Sequence, residues 1–224
     1  MEELLRRLGR DPASLRSAAI LAGSASGSLV ARVRLGDEEF VLKTTTEREA
    51  VFYRAAPRLP VQVPRVIALD GTCLLLEALT PATRAAEWST PRWHEVARQL
   101  GALHRPRVLA GFAGRSWLRR PVERRPDATA RELWTADELA LLDTRPAALP
   151  DCLVHGDVHA GNLLQDDAGA LVWTDWQEVG VGPGPEDLAL LWQRAEFDGA
   201  DPPRAAMLAT YAAARGIACD EALL

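Results

Sequence analysis

The chain has 224 residues, 48% hydrophobic and 25% charged, with a formal net charge of -5, enough to bury a full core as one large domain or two small lobes. The acidic balance argues against a nucleic-acid binder, whose domains carry a basic excess, and no apolar run approaches the ~20 residues of a membrane span. Residues 1–10 are charged and lack an apolar signal core, and three isolated cysteines, Cys73, Cys152 and Cys219, suggest reduced thiols in a cytoplasmic protein rather than a disulfide framework.

Residues 1–16 fit a short lead-in helix or an edge segment. Residues 17–22 are strand-like and run into a loop of Gly23, Ser24, Ala25, Ser26, Gly27 and Ser28. Residues 29–35 alternate with period two, Gly36-Asp37 makes a turn, and residues 39–43 form the next strand. A small-residue loop between antiparallel strands can turn several backbone N–H groups toward phosphate oxygens. It lacks the Walker pattern, and a strand follows it rather than a helix. This third strand ends in Lys43. Of 26 basic residues 25 are Arg and one is this Lys, which makes it a candidate for a role that needs a compact ammonium with three donors.

Thr44 to Thr46 can cap a helix over residues 47–58, from which Glu47 or Glu49 can reach back to Lys43. Residues 66–69 and 73–76 form a hairpin around Asp70-Gly71. The pattern breaks over residues 77–81, where a lobe boundary is placed. A helix opens at Pro91 and carries Trp93, Val96, Leu100, Leu103 and His104 at helical spacing. Residues 105–127, rich in Arg, Pro and Gly, are expected to be irregular, and residues 129–142 helical. Residues 180–185 are expected to form a turn, and residues 186–197 and 203–215 two final helices.

The chemistry concentrates in residues 153–164, Leu-Val-His-Gly-Asp-Val-His-Ala-Gly-Asn-Leu-Leu. Apolar pairs lead in and out, so the stretch is a loop between short buried strands, with Gly156 and Gly161 giving the backbone freedom to turn. It holds His155, Asp157, His159 and Asn162. A second strand, residues 170–174, delivers Asp175. Two carboxylates and a carboxamide at this spacing can share one divalent ion, which is what phosphoryl transfer needs.

The order is therefore a Gly/Ser loop, a strand ending in Lys43, a helix with Glu49, a hinge, a helix ending in Leu103-His104, the His155-Gly156-Asp157 loop with Asn162, then Asp175-Trp176. This order resembles the aminoglycoside phosphotransferase family, the small-molecule branch of the protein-kinase-like fold, over residues 17–211. The stretch from Gly184 to Ala189 also looks like the family's element after its metal-binding Asp. The resemblance implies an α+β, bilobal protein-kinase-like fold. Residues 1–78 would be a nucleotide-binding lobe, a small antiparallel sheet plus one helix. Residues 79–224 would be a mainly helical catalytic and acceptor-binding lobe with a short catalytic-loop β-hairpin.

It implies ATP and Mg²⁺ as cofactors and a small-molecule hydroxyl as acceptor, in a monomer or homodimer with no nucleic-acid or membrane partner. Asp157 would orient the hydroxyl and accept its proton, and Asn162 and Asp175 would hold Mg²⁺. Lys43, held by Glu49 in preference to Glu47, would contact the α- and β-phosphates, under a cover that includes Ser24, Ser26, Gly27 and Ser28. The Glu77 carbonyl and Leu79 N–H would meet the adenine edge, with Leu76 at the gatekeeper position. His155 would support the loop backbone, Asp187 would tie the loop together, and Trp176 would pack behind Asp175.

Ala160 stands where the family often has Pro, and Gln177 where an acid is common, but neither change removes a catalytic group. Only 37 residues follow Asp187, which leads one to expect a shallower acceptor pocket or one completed by a second subunit. The acceptor is expected to be an antibiotic or related secondary metabolite, with a sugar, choline-like or homoserine-like metabolite as the alternative. Glu186, Glu196, Asp198 and Asp201 would suit a cationic acceptor. The seven Arg of residues 105–125 would suit an anionic one if they line the cleft. An alternative of another class is a metallohydrolase using the His155/Asp157/His159 triplet around Zn²⁺, which leaves Lys43 and the Gly/Ser loop without a role.

Overall fold

A computed structural model describes residues 1–21, 29–55, 59–112, 115–118 and 149–218. Its first part is a five-stranded antiparallel sheet in the order β1-β2-β3-β5-β4. The strands are β1 (Leu15–Ile20), β2 (Val30–Leu35), β3 (Glu38–Thr44), β4 (Val66–Asp70) and β5 (Cys73–Glu77). Period-two alternation in β2 and β3 sends Ala31, Val33, Leu35, Phe40 and Leu42 to one face. There they close a core with Cys73, Leu75 and two leucines, Leu5 and Leu8, on and just after α1 (Glu2–Arg7). The opposite face carries Val41 and Lys43 of β3 with Leu74 and Leu76 of β5, and α2 (Glu47–Ala55) packs on that side through Phe52 and Tyr53. Thr46 starts α2, its hydroxyl accepting from Glu49 N–H at 3.2 Å.

The second and larger core is built on α3 (Thr90–Leu103), which packs against α6 (Arg204–Arg215). Trp93, Val96, Ala97, Leu100 and Leu103 form its buried stripe. This core includes Phe52, Leu74 and Leu76 as well as the helices that follow, so apolar packing is continuous across position 78. The chain after Glu77 also joins the later segments. Thr80–Pro81 forms β6, and β8 (Leu163–Gln165) and β9 (Leu171–Trp173) add to it in the order β6-β8-β9. The short hairpin expected around the loop thus makes two of the three strands of a sheet that β6 completes. Helix α5 (Pro185–Phe197) completes the fold.

Two segments differ from expectation. Residues 180–185 are not simply a turn: Gly180–Gly182 is a strand, β10, paired with β7 (Cys152–Val154). The strand is hidden from a reading of Gly and Pro content, but the buried backbone of β7 needs a hydrogen-bonding partner and finds it there. Within the stretch expected to be irregular, Pro106–Ala110 forms a short helix, α4, with Pro106 in its first turn and Leu109 buried against β7. A 3-10 turn follows at Arg115–Trp117. The helix expected at residues 129–142 and the Gly/Ser loop at residues 23–28 lie outside the described residues. Among the described residues no helix is long and apolar enough to cross a membrane.

Leu100 is fully buried between α3 and its neighbours. Leu100→Ala is expected to lower the unfolding free energy by about 2–5 kcal/mol, measured by urea denaturation with an unchanged m-value.

Candidate active site

Lys43 lies on the inner face of β3 with its side chain 7% exposed. Its ammonium donates to Glu49 Oε1 at 2.9 Å and to Asp175 Oδ1 at 2.8 Å. The contact falls to Glu49 rather than Glu47. Glu49 is wholly buried, and a buried carboxylate is tolerated only when its charge is paired and its remaining lone pairs are used. Thr45 Oγ1 donates to Glu49 Oε2, and the backbone N–H of Trp176 donates to Oε1 at 3.0 Å.

Asp175 has φ 62°, the one non-glycine residue in the left-handed region among the described residues. Such a conformation costs on the order of 1–3 kcal/mol and persists only where its surroundings impose it. Here they do. Trp176 is fully buried and stacks on Phe52 of α2, ring centroids 4.3 Å apart, and its indole N–H donates to Trp173 O at 3.0 Å. Arg48 of α2 donates to Gln177 O at 2.8 Å. The turn carrying Asp175 is therefore fastened to α2 on both sides of the Lys43 ion pair.

The loop after β7 has a second anchor. Asp187, buried at the start of α5, accepts from the N–H of His155 at 2.7 Å and of Gly156 at 2.9 Å. Its Oδ2 also lies 3.1 Å from His104 Nε2. Burial opposes its charge, yet the His104 ring and the His155 N–H outweigh that and hold the Asp187 carboxyl below the usual range. Gly156 has φ +83°, and a Cβ there would stand 2.3 Å from Glu178 O, so this position needs glycine. Gly161 differs from expectation: it has no positive φ.

His155 is fully buried, with Nε2 2.9 Å from Thr174 O and Nδ1 accepting from Asp157 N–H at 3.3 Å. Burial pushes its imidazole below the ordinary value. Both ring nitrogens are used inside the loop, so His155 cannot also ligate a metal, and the His-x-Asp-x-His triplet does not converge. Among the described residues no group of three or more His, Cys, Asp or Glu side chains gathers around one point.

Asp157 is held by Asn162, whose Nδ2 donates to Asp157 O at 2.8 Å and to Oδ2 at 3.2 Å. The His159 ring beside it lowers the Asp157 carboxyl below the ordinary range, against the opposing effect of partial burial. Thr174 N–H donates to Asn162 O at 3.0 Å, placing Asn162 next to the residue that joins β9 to Asp175. Lys43, Glu49, Asp157, Asn162 and Asp175 thus form one connected group. The side-chain oxygens of this group are all carboxylate or carboxamide, a donor set suited to a hard divalent cation.

Leu76 is buried in β5, Glu77 ends that strand, and Leu79 lies two residues beyond it. Two sets of contacts were not foreseen: the Leu79 carbonyl accepts from Arg32 of β2 at 2.8 Å, and Thr45 and the Trp176 N–H complete the shell of Glu49. Such contacts depend on pairings that no local pattern encodes. Ser24, Ser26, Gly27 and Ser28 lie outside the described residues. Of the arginine-rich segment, Arg105 and Arg107 line a cleft against α6 with Arg98. Arg105 Nε donates there to Ala214 O at 2.6 Å. These two do not share in the group around Asp157.

A family model described as "Phosphotransferase enzyme family" matches residues 15–223. Among solved structures, an aminoglycoside-3'-phosphotransferase of type VIII is 25% identical, covering 100% of this chain and 95% of that chain with a TM-score of 0.60. The choline kinase LicA from Streptococcus pneumoniae is 15% identical, covering 94% and 78%, TM-score 0.64. A spectinomycin phosphotransferase solved with ADP and spectinomycin is 16% identical, covering 99% and 80%, TM-score 0.60. The last two show likeness of fold. No curated protein sequence matches the chain.

Lys43→Met is expected to lower the unfolding free energy by about 3–5 kcal/mol, because it leaves Glu49 buried without its counter-charge. Adding Glu49→Gln should recover part of the loss in urea denaturation. Losses that simply add would contradict the coupling.

Proposed function

We propose, because the chain belongs to the phosphotransferase enzyme family, that it transfers the γ-phosphate of ATP to a hydroxyl of a small molecule through the group around Lys43 and Asp157. The observation that carries this is the Lys43 ammonium shared between Glu49 and Asp175, with Asp157 and Asn162 connected to the same turn.

Asp157 orients the acceptor hydroxyl and takes its proton. As the acceptor oxygen bonds to phosphorus, the bond from the γ-phosphorus to the bridging oxygen breaks and ADP leaves. A carboxylate held below its usual range stays ionised, and in a loose transition state the proton leaves late, so orientation matters more than basicity. Lys43 donates to the α- and β-phosphates, and Glu49 holds its side chain extended. Asn162 and Asp175 supply oxygen ligands for Mg²⁺, which when bound neutralises charge on the phosphates. The Glu77 carbonyl and Leu79 N–H meet the adenine edge beneath Leu76. In this reading residues 1–78 are the nucleotide-binding lobe and residues 79–224 the catalytic and acceptor-binding lobe.

The acceptor is an amine-bearing alcohol of the antibiotic or secondary-metabolite class. Helix α5 packs on the turn Ala160–Asn162, and exposed Glu186, Glu196, Asp198 and Asp201 lie on or just after it. A choline-like metabolite is the second reading, favoured by the same acidic surface and the likeness to a choline kinase fold.

The test is ATP turnover against a panel of aminoglycosides, other antibiotics, nucleosides, sugars and amino alcohols. Asp157→Ala should lower kcat by about 10²–10⁴-fold while nucleotide binding is kept. Asp175→Ala should abolish Mg²⁺-dependent nucleotide binding. Undiminished turnover by the Asp157 variant would refute the assignment.

A further inference from the structure

His159 is 32% exposed at its side chain and lies beside Asp157. Its Nδ1 accepts from Gly161 N–H at 3.1 Å, capping the 3-10 turn Ala160–Asn162. A ring nitrogen that accepts carries no proton, so in the neutral imidazole the proton sits on Nε2. That nitrogen faces Asp157 Oδ2 at 3.6 Å. The Asn162 amide reaches the same oxygen at 3.2 Å. Two N–H groups from opposite ends of the turn therefore converge on Oδ2, and no group among the described residues donates to Oδ1.

Capping alone does not account for this arrangement. Ser, Asp or Asn would cap the turn as well, and none reaches past it toward Asp157. The neighbouring glycine is fitted to the ring. A Cβ on Gly161 would stand 2.9 Å from His159 Cε1 and 3.0 Å from Nδ1, so a side chain at that position would push the imidazole off its place over the turn.

We propose that His159 is a positioning residue that, together with Asn162, turns Oδ2 of Asp157 into the loop and so presents Oδ1 to the acceptor hydroxyl. The inference rests on the reading of Asp157 as the proton acceptor. The oxygen that accepts from the Asn162 amide and faces the His159 Nε2–H is the poorer base, and the bare one takes the proton. Fixing the carboxylate also fixes the line along which the acceptor oxygen approaches phosphorus, the kind of control for which a displacement of 1 Å costs up to about 10²-fold in rate.

The experiment compares steady-state kinetics of His159→Asn, His159→Gln and Asp157→Asn. Asn keeps an acceptor where Nδ1 sits but does not reach Asp157, whereas Gln places an amide N–H near the position of Nε2. The expected result is unchanged thermal stability for His159→Asn, a kcat about tenfold to a hundredfold lower at unchanged KM for ATP and acceptor, and recovery of most of kcat in His159→Gln. Wild-type kcat in His159→Asn would overturn the proposal and leave a capping role only. Equal losses in the Asn and Gln variants would also overturn it, since the donor would then not matter. Turnover retained by Asp157→Asn would instead overturn the assignment of Asp157 itself.

Discussion

The ammonium of Lys43 is the interaction on which the other parts depend. It neutralises a carboxylate, Glu49, that has no access to water, and it binds the side chain of Asp175, whose backbone takes a conformation that costs energy. Three separate stretches of chain (a strand, a helix and a turn more than a hundred residues later) are fixed relative to one another by one charge. Arginine would not serve equally well. A compact ammonium can bond two carboxylates and keep a third donor, whereas the planar guanidinium suits a bidentate partner. In a chain with 25 Arg, this is where the one Lys stands.

The loop carrying Asp157 is held by independent means. Asp187 supplies acceptors to two consecutive backbone N–H groups, and His104 lies against its second oxygen. His155 links the loop to Thr174 from inside. The arrangement leaves two carboxylates in different settings. Asp187 is buried and fully engaged, while Asp157 remains about one-third exposed at its side chain. In the proposed reading these two carboxylates, thirty residues apart, do different work because their surroundings differ, not their side chains.

Much of this was legible in the residues themselves. The alternation of β2 and β3, the helical spacing of Trp93, Val96 and Leu100, and the isolation of Lys43 each reflect a local physical requirement, and the elements followed. The pairing of β10 with β7 was not legible, because a strand of glycine and valine carries no periodic signal and exists only to satisfy a neighbouring backbone. The short helix α4 was hidden by its Pro and Arg content. The contacts of Arg32 with Leu79 and of Thr45 with Glu49 arise between segments whose proximity the fold decides. His159 lay between these cases: the residue was visible, but its direction depends on the turn and on the room that Gly161 leaves.

In the proposed function Lys43, Asp175 and Asn162 form a site for a metal-bound nucleoside triphosphate. It is tested most directly by thermal stability with ATP in the presence and absence of Mg²⁺. A ligand that binds only the folded chain stabilises it by about 2.7 kcal/mol at a hundredfold excess over Kd. Such a site gives a rise in Tm with ATP that requires Mg²⁺. No rise with any nucleotide, together with a rise on adding Zn²⁺ alone, would contradict it.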